Sequence, residues 1–237
     1  MHEDKGARNV SMEAAWDFPQ FLRQVRREKN VSLEQLSEGL MTVSQLARIE
    51  KGHHFACKNA KDRLLGRMGI SSDLYENLLN IGDYEAWEQQ HDILCAIERK
   101  EFQKAQEMIA AYEQQNPSAD RNKLKQQFCL VMRAEILRQQ GEDQSKIGDC
   151  YERAVKLTVS EVEHLCISQK LLSVQEVNLI LEYEFYHKDA DFADKCRELL
   201  MYVENSIYDD LSKAKIYPKI AYYYLREISD GQNGRIM

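Results

Sequence analysis

Ser44, Gln45 and Arg48 stand close together between apolar positions 43, 46 and 49. At that spacing a small hydroxyl, an amide and a guanidinium share the outer face of a helix. Their donors and acceptors match base edges in the major groove of DNA. Elsewhere the chain has no glycine-rich phosphate loop, nucleophile elbow, carboxylate pair or HExxH. No enzymatic activity and no cofactor are therefore expected. His53 and His54 are adjacent in sequence and lack the i, i+4 geometry of a helical metal site, so no metal is expected either.

The elements that must position these side chains run from Val31 to Gly52. They read as two short helices joined by a tight turn. Ser32 N-caps the first, with Gln35 at the reciprocal capping-box position. Leu33, Leu36 and Leu40 line one face of it, and Val43, Leu46 and Ile49 repeat the pattern on the second helix. Gly52 suits a left-handed C-terminal cap. The arrangement matches a helix-turn-helix. A preceding helix carries Phe18, Phe21, Leu22 and Val25, and residues 53–58 form a connecting loop. Asn59 is placed to cap a helix bearing Leu64, Leu65 and Met68, closed by Gly69; Ser72 is placed to cap a fifth with Leu74, Leu78, Leu79 and Ile81. Residues 1–17 read as a flexible tail and 18–82 as a five-helix DNA-binding domain.

Residues 83–237 read as longer helices in pairs. Trp87, His91, Leu94 and Cys95 run along one helix, whose partner carries Phe102, Ala105, Ile109 and Tyr112 before Pro117. A second pair spans 124–139 and 147–158, separated by Gly141, and a third spans 171–187 and 192–207. The last helix shows Tyr217, Ile220, Ala221, Tyr224, Leu225 and Ile228 as one stripe. That stripe either makes a dimer contact, packs back on residues 192–207, or awaits a further repeat. A period of roughly 40 residues between antiparallel pairs implies an α-solenoid. The fold class is all-α, with few glycines and prolines and no alternating β-branched runs.

The net charge is −7, unevenly spread. Residues 1–70 hold 12 Lys and Arg against 9 Asp and Glu (+3), whereas 71–237 hold 20 against 30 (−10). Charges act over about 8 Å at physiological salt, so the local sign governs contact with phosphates. The absence of a long apolar run or an apolar leader, together with six cysteines at scattered spacing, suits a cytoplasmic protein with reduced thiols and no membrane association.

The first domain resembles the Cro/C1 (XRE) type of helix-turn-helix, and the remainder is similar in part to tetratricopeptide repeats, through Tyr151-x-x-Ala154 and Ala105…Ile109…Tyr112…Pro117. Together the chain resembles the Rgg- and PlcR-like peptide-responsive regulators of Gram-positive bacteria. Gly39-Leu40-Met41-Thr42-x-Ser44-x-Leu46-Ala47-Arg48-Ile49-Glu50 and Leu172-Ser173-x-Gln175-Glu176-x-Asn178-Leu179 carry that likeness. The resemblance implies a homodimer that binds an inverted-repeat operator in double-stranded DNA and a concave face that receives a short signalling peptide. It implies DNA contacts from Thr42, Ser44, Gln45 and Arg48, phosphate contacts from Ser32, Lys51 and His53, and a structural Arg26–Glu50 salt bridge. The polar strip Gln175, Asn178 and Glu182 is the corresponding peptide-binding set. Leu33 departs from the pattern, standing where that fold often has a phosphate-binding glutamine. Two other readings remain open: a protein-interaction adaptor with a degenerate helix-turn-helix, and a ligand-independent repressor of the phage or toxin–antitoxin kind.

Overall fold

The computed structural model describes residues 18–71, 81–114, 119–164, 166–187 and 192–233. Their regular structure is all helical. The order is α1 (Phe18–Glu28), α2 (Leu33–Ser37), α3 (Val43–Glu50), α4 (Lys58–Arg67), α5 (Ile81–Glu98), α6 (Phe102–Gln114), α7 (Ala119–Gln140), α8 (Gln144–Lys156), α9 (Val174–Tyr186), α10 (Phe192–Asn205) and α11 (Asp210–Asn233). Short 3₁₀ turns at Val162–His164 and Ile167–Gln169 link α8 to α9. The expected tail and the expected helix from Ser72 lie outside the described residues, as does Pro117. α5 is described from Ile81 onward, and residues 72–80 before it lie outside the described residues. No helix among the described residues is long and apolar enough to cross a membrane.

Side-chain caps define the short helices. The Ser32 hydroxyl accepts the Gln35 N–H at 3.1 Å while Gln35 Oε1 accepts the Ser32 N–H at 2.9 Å. The same device opens α3: Thr42 Oγ1 accepts the Gln45 N–H at 3.2 Å, and Gln45 Oε1 accepts the Thr42 N–H at 2.8 Å. Each cap stabilises its helix by about 1 kcal/mol. At the far end of α3, Gly52 and His53 donate to the Ile49 and Arg48 carbonyls, both at 2.9 Å. Leu22, Leu36, Leu46, Leu64 and Met68 form the sealed centre of this four-helix group. Val43, expected on the inner face, is instead exposed: α3 turns Leu46, Ile49 and Glu50 inward, and Glu50 is gripped by Arg26 of α1. α4 starts directly after Cys57, without the expected Asn59 cap.

Beyond α4, each helix packs on its successor, and α9 also meets α11. Ile93, Ala96 and Ile97 of α5 face Ala105, Ile109 and Tyr112 of α6. Of the residues read as running along α5, Trp87 and Leu94 point outward, and Trp87 stacks on His91 at 5.4 Å. The competing face wins because Ala96 and Ala105, both fully shielded, give two helices the close approach that a tryptophan would block. A similar rotation occurs in α11. Ser212, Ile216, Ile220 and Tyr223 are buried, while Leu225 of the expected stripe is exposed. Tyr223 decides it: its hydroxyl donates to Glu182 and its ring lies 4.6 Å from that of Phe185. The final helix thus packs back on α9 and α10.

All six cysteines are free thiols. Burial pushes the Cys129 and Cys196 thiols up to about 11, and both are shielded from solvent, whereas Cys166 is exposed. Thiolate is the reactive form. Brief alkylation of the native protein at neutral pH is therefore expected to modify Cys166 while sparing Cys129 and Cys196, read by peptide mass. Early labelling of Cys129 would contradict the packing of α7 against α5 and α6.

Candidate functional site

The outer surface of α3 carries Ser44 and Arg48, with Lys51 and His53 just beyond its end; all four are exposed. Arg48 and Lys51, like Arg23 and Arg27 on the neighbouring α1, have no ion-pair partner among the described residues. This surface is held rigidly from behind. Arg26 meets Glu50 in a two-point contact, Nε to Oε1 at 2.6 Å and Nη2 to Oε2 at 2.8 Å, and its Nη1 donates to the Val31 carbonyl at 2.9 Å. Planar two-point pairing fixes orientation as well as distance. Thr42, Gln45 and Ser32 are exposed or half-exposed, yet all three are engaged in caps. A base contact by Gln45 Oε1 would have to replace its hydrogen bonds from Thr42.

Behind this group, α4 packs on α7 and α9 through a buried polar cluster. Arg67 reaches in three directions. Its Nη1 donates to the Leu36 and Glu38 carbonyls at 3.1 and 2.6 Å, satisfying acceptors that the end of α2 leaves open. Its Nε and Nη2 donate to Glu176 at 3.1 and 2.7 Å. Glu176, with no exposed surface, also closes the capping box of α9, accepting from the Ser173 N–H at 2.9 Å and hydroxyl at 2.8 Å. Burial would raise its pKa, but the Arg67 and Arg63 charges and these hydrogen bonds outweigh burial and hold it at about 2. Next to it, Arg63 Nη2 donates to Gln127 Oε1 at 2.6 Å, and Gln127 Nε2 donates to Ala154 O and Thr158 Oγ1.

Further contacts close the rim of this junction. Asp209 N–H donates to the Gly69 carbonyl at 2.8 Å, and Ser71 N–H donates to Asp209 Oδ2 at 3.0 Å. Lys29 and Lys123 donate to the carbonyls of Ile207 and Gly39, and Lys170 pairs with Glu38. The first four helices are therefore anchored to the rest at several separate points.

A cavity of about 360 Å³ opens along the same junction. It brings Gln175, Asn178 and Glu182 of α9 together with Asn59, Asp62 and Arg63 of α4, Gln127 of α7 and Lys219 of α11. Glu182 is buried, accepts from Tyr223 and pairs with Lys219 at 2.8 Å. Asn178 Oδ1 and Arg63 Nη1 are buried without a hydrogen-bond partner. A space of this size, lined by both apolar and convergent polar groups, is in the range that holds small ligands. Among the described residues, no three His, Cys, Asp or Glu side chains converge to hold a metal ion.

Comparison with known proteins found no family, no curated relative and no solved structure that matches this chain.

The sequence placed Gln175, Asn178 and Glu182 on one strip, and the structure puts all three on one cavity wall. It did not single out Arg63, Arg67, Glu176 or Gln127. One signal was present: Ser173-x-x-Glu176 spells a capping box, and Arg63 and Arg67 share a helix face. Their meeting across the chain was not written in either motif.

Proposed function

We propose that this chain is a sequence-specific DNA-binding transcriptional regulator that works as a homodimer. In this reading α2 and α3 form a helix-turn-helix of the XRE type, with α3 entering the major groove. The helices from α5 onward form a tetratricopeptide-like solenoid that receives a peptide or protein partner. The observation that carries the reading is the two-sided character of α3. Leu46, Ile49 and Glu50 lock it from within, while Ser44 and Arg48 face solvent and Arg48 has no ion-pair partner among the described residues. A guanidinium uncommitted within the fold, on a helix clamped by a two-point salt bridge, is preorganised to read a guanine edge. Ser32, Lys51 and His53 take the phosphates on either side, and the local positive balance supports them.

Two such helices in a dimer enter successive major grooves about 34 Å apart, so the operator is an inverted repeat. The junction between α4 and α9 gives a partner in the cavity a direct route to the DNA-reading surface. A coupling of that kind is worth about 1–3 kcal/mol.

Fluorescence-anisotropy titration against the duplex upstream of its own gene, at two salt concentrations, tests the reading. The expected result is saturable binding that survives excess random duplex and weakens steeply with salt. Arg48→Ala is expected to lose about 1–3 kcal/mol of operator affinity with an unchanged melting midpoint. Equal affinity for operator and random duplex, or an Arg48→Ala protein that binds as well as the parent, overturns it.

A further inference from the structure

We infer that the cavity between α4 and α9 binds its ligand through a carboxylate held by Arg63, so that α4, packed behind the DNA-reading helices, itself forms part of the ligand site. The inference deepens the reading of the cavity as a ligand site and stands independently of DNA binding.

The charges at the buried junction beside the cavity do not balance. Asp62 pairs with Lys58 at 2.8 Å, and Glu182 pairs with Lys219 at 2.8 Å. Glu176 takes its close contact, 2.7 Å, from Arg67 and stands 3.8 Å from Arg63 Nη1. Two guanidiniums thus share the one carboxylate of Glu176, and Arg63 is the one held at the longer distance. It is also only 8% exposed. Its guanidinium stays charged in proteins, and a buried charge is costly unless paired. Burial lowers the Arg63 pKa, and the neighbouring Arg67 adds to it, against the pull of Glu176 and Asp62.

The hydrogen-bond inventory points the same way. Arg63 Nη1 is a buried donor with no acceptor, and Asn178 Oδ1 a buried acceptor with no donor. Both side chains line the one cavity. Leaving such groups unmade costs about 1–3 kcal/mol each. A ligand that satisfies both presents a carboxylate and an N–H donor. That is the chemistry of an N-acylated amino acid and equally of the C-terminal residue of a peptide. Gln175 is exposed at the mouth of the cavity, which leaves room for a longer chain to pass outward.

Position gives the consequence. Arg63 belongs to α4, whereas Asn178 belongs to α9. A carboxylate bound to Arg63 neutralises the excess charge of the junction and ties α4 more firmly to α9. Occupancy therefore strengthens the docking of the first four helices, an effect readable without any DNA.

The test uses the full chain, a panel of N-acetyl amino acids with their amides, and tetrapeptide pools with free or amidated C-termini. The readouts are the melting midpoint and titration calorimetry. At least one free acid is expected to raise the midpoint and to bind about tenfold or more tighter than its amide, tenfold being about 1.4 kcal/mol. Arg63→Gln is expected to abolish that preference, and Lys104→Gln, on the exposed surface of α6, to keep it. Response to N-acetyl amino acids identifies a small acid as sufficient, and response to peptides alone identifies a peptide terminus. Acids and amides that bind alike overturn the inference, as does the absence of any midpoint rise with free acids, or a preference that persists in Arg63→Gln. The acid–amide comparison is made on the unmodified protein, so it stands even where Arg63→Gln folds poorly. Failure of operator binding would leave these outcomes unchanged.

Discussion

Glu176→Gln is expected to remove about 3–5 kcal/mol of folding stability, the cost of breaking a buried ion pair from one side. The carboxylate has no exposed surface and lies against Arg67 and Arg63, while four hydrogen bonds from Arg67 and Ser173 hold it in place. Glutamine keeps the shape and one acceptor, so helix α9 retains part of its cap. What it loses is the charge, and two guanidiniums are then left in a shielded junction with no counter-ion. Chemical denaturation measures the loss as a fall in midpoint at constant slope. Glu152→Gln, whose partner Lys156 is on the surface, serves as the control and should change stability by less than about 1 kcal/mol.

The same residue sets an acid limit. The folded-state value of about 2 lies below the ordinary glutamate value of about 4.3, so the native state binds this proton less readily than the unfolded chain does. Its contribution is fully present above about pH 4.3 and disappears as the pH falls toward 2. The stability gap between the parent and Glu176→Gln should therefore narrow over that window and be flat near neutrality. A gap that does not change between pH 5 and pH 2.5, or a loss under about 1 kcal/mol at pH 7, would show that the cluster contributes packing alone.

Gly69→Ala is the second large effect, and its cause is steric. Gly69 follows α4 with φ near +72°, and a Cβ there would overlap the Ile207 carbonyl and stand 2.7 Å from Tyr208 Cα. Both obstacles are backbone, so no side chain can swing away. The left-handed conformation alone costs alanine about 1–2 kcal/mol, and the overlap adds about 1–3 kcal/mol. Gly141 has the same φ with nothing within 4 Å of its Cβ position, so Gly141→Ala isolates the conformational part. The relief open to Gly69→Ala is to part residue 69 from residues 207–209, breaking the Asp209-to-Gly69 and Ser71-to-Asp209 hydrogen bonds. Faster amide exchange at Ser71 and Asp209, beside a stability loss clearly exceeding that of Gly141→Ala, is the expected outcome. Equal losses in the two variants would mean that this contact does not hold the first four helices in place.

Local signals of the first four helices were open to reading from the chain. Ser32 with Gln35, the apolar spacing of Leu36, Leu46 and Ile49, and Gly52 after α3 are interactions within a few residues of one another, decided by hydrogen-bond and rotamer preferences that travel with the sequence. The all-helical class follows from the same periodicity. Faces were harder to read wherever two apolar stripes overlap. In α5 and α11 both stripes are spelled out, and the inward choice depends on what stands opposite: Ala105 for Ala96, and Glu182 with Phe185 for Tyr223.

The cavity divides along the same line. The sequence by itself set Gln175, Asn178 and Glu182 on one helical strip, because a spacing of three and four residues is a property of the helix. Only the tertiary structure brought Arg63 and Asn59 to that strip, and only it matched Arg67 with Glu176, which are 109 residues apart. Lysines and arginines on a helix read equally well as solvated charges. Whether one of them is buried depends on which distant carboxylate the packed core carries to it, and no local pattern encodes that.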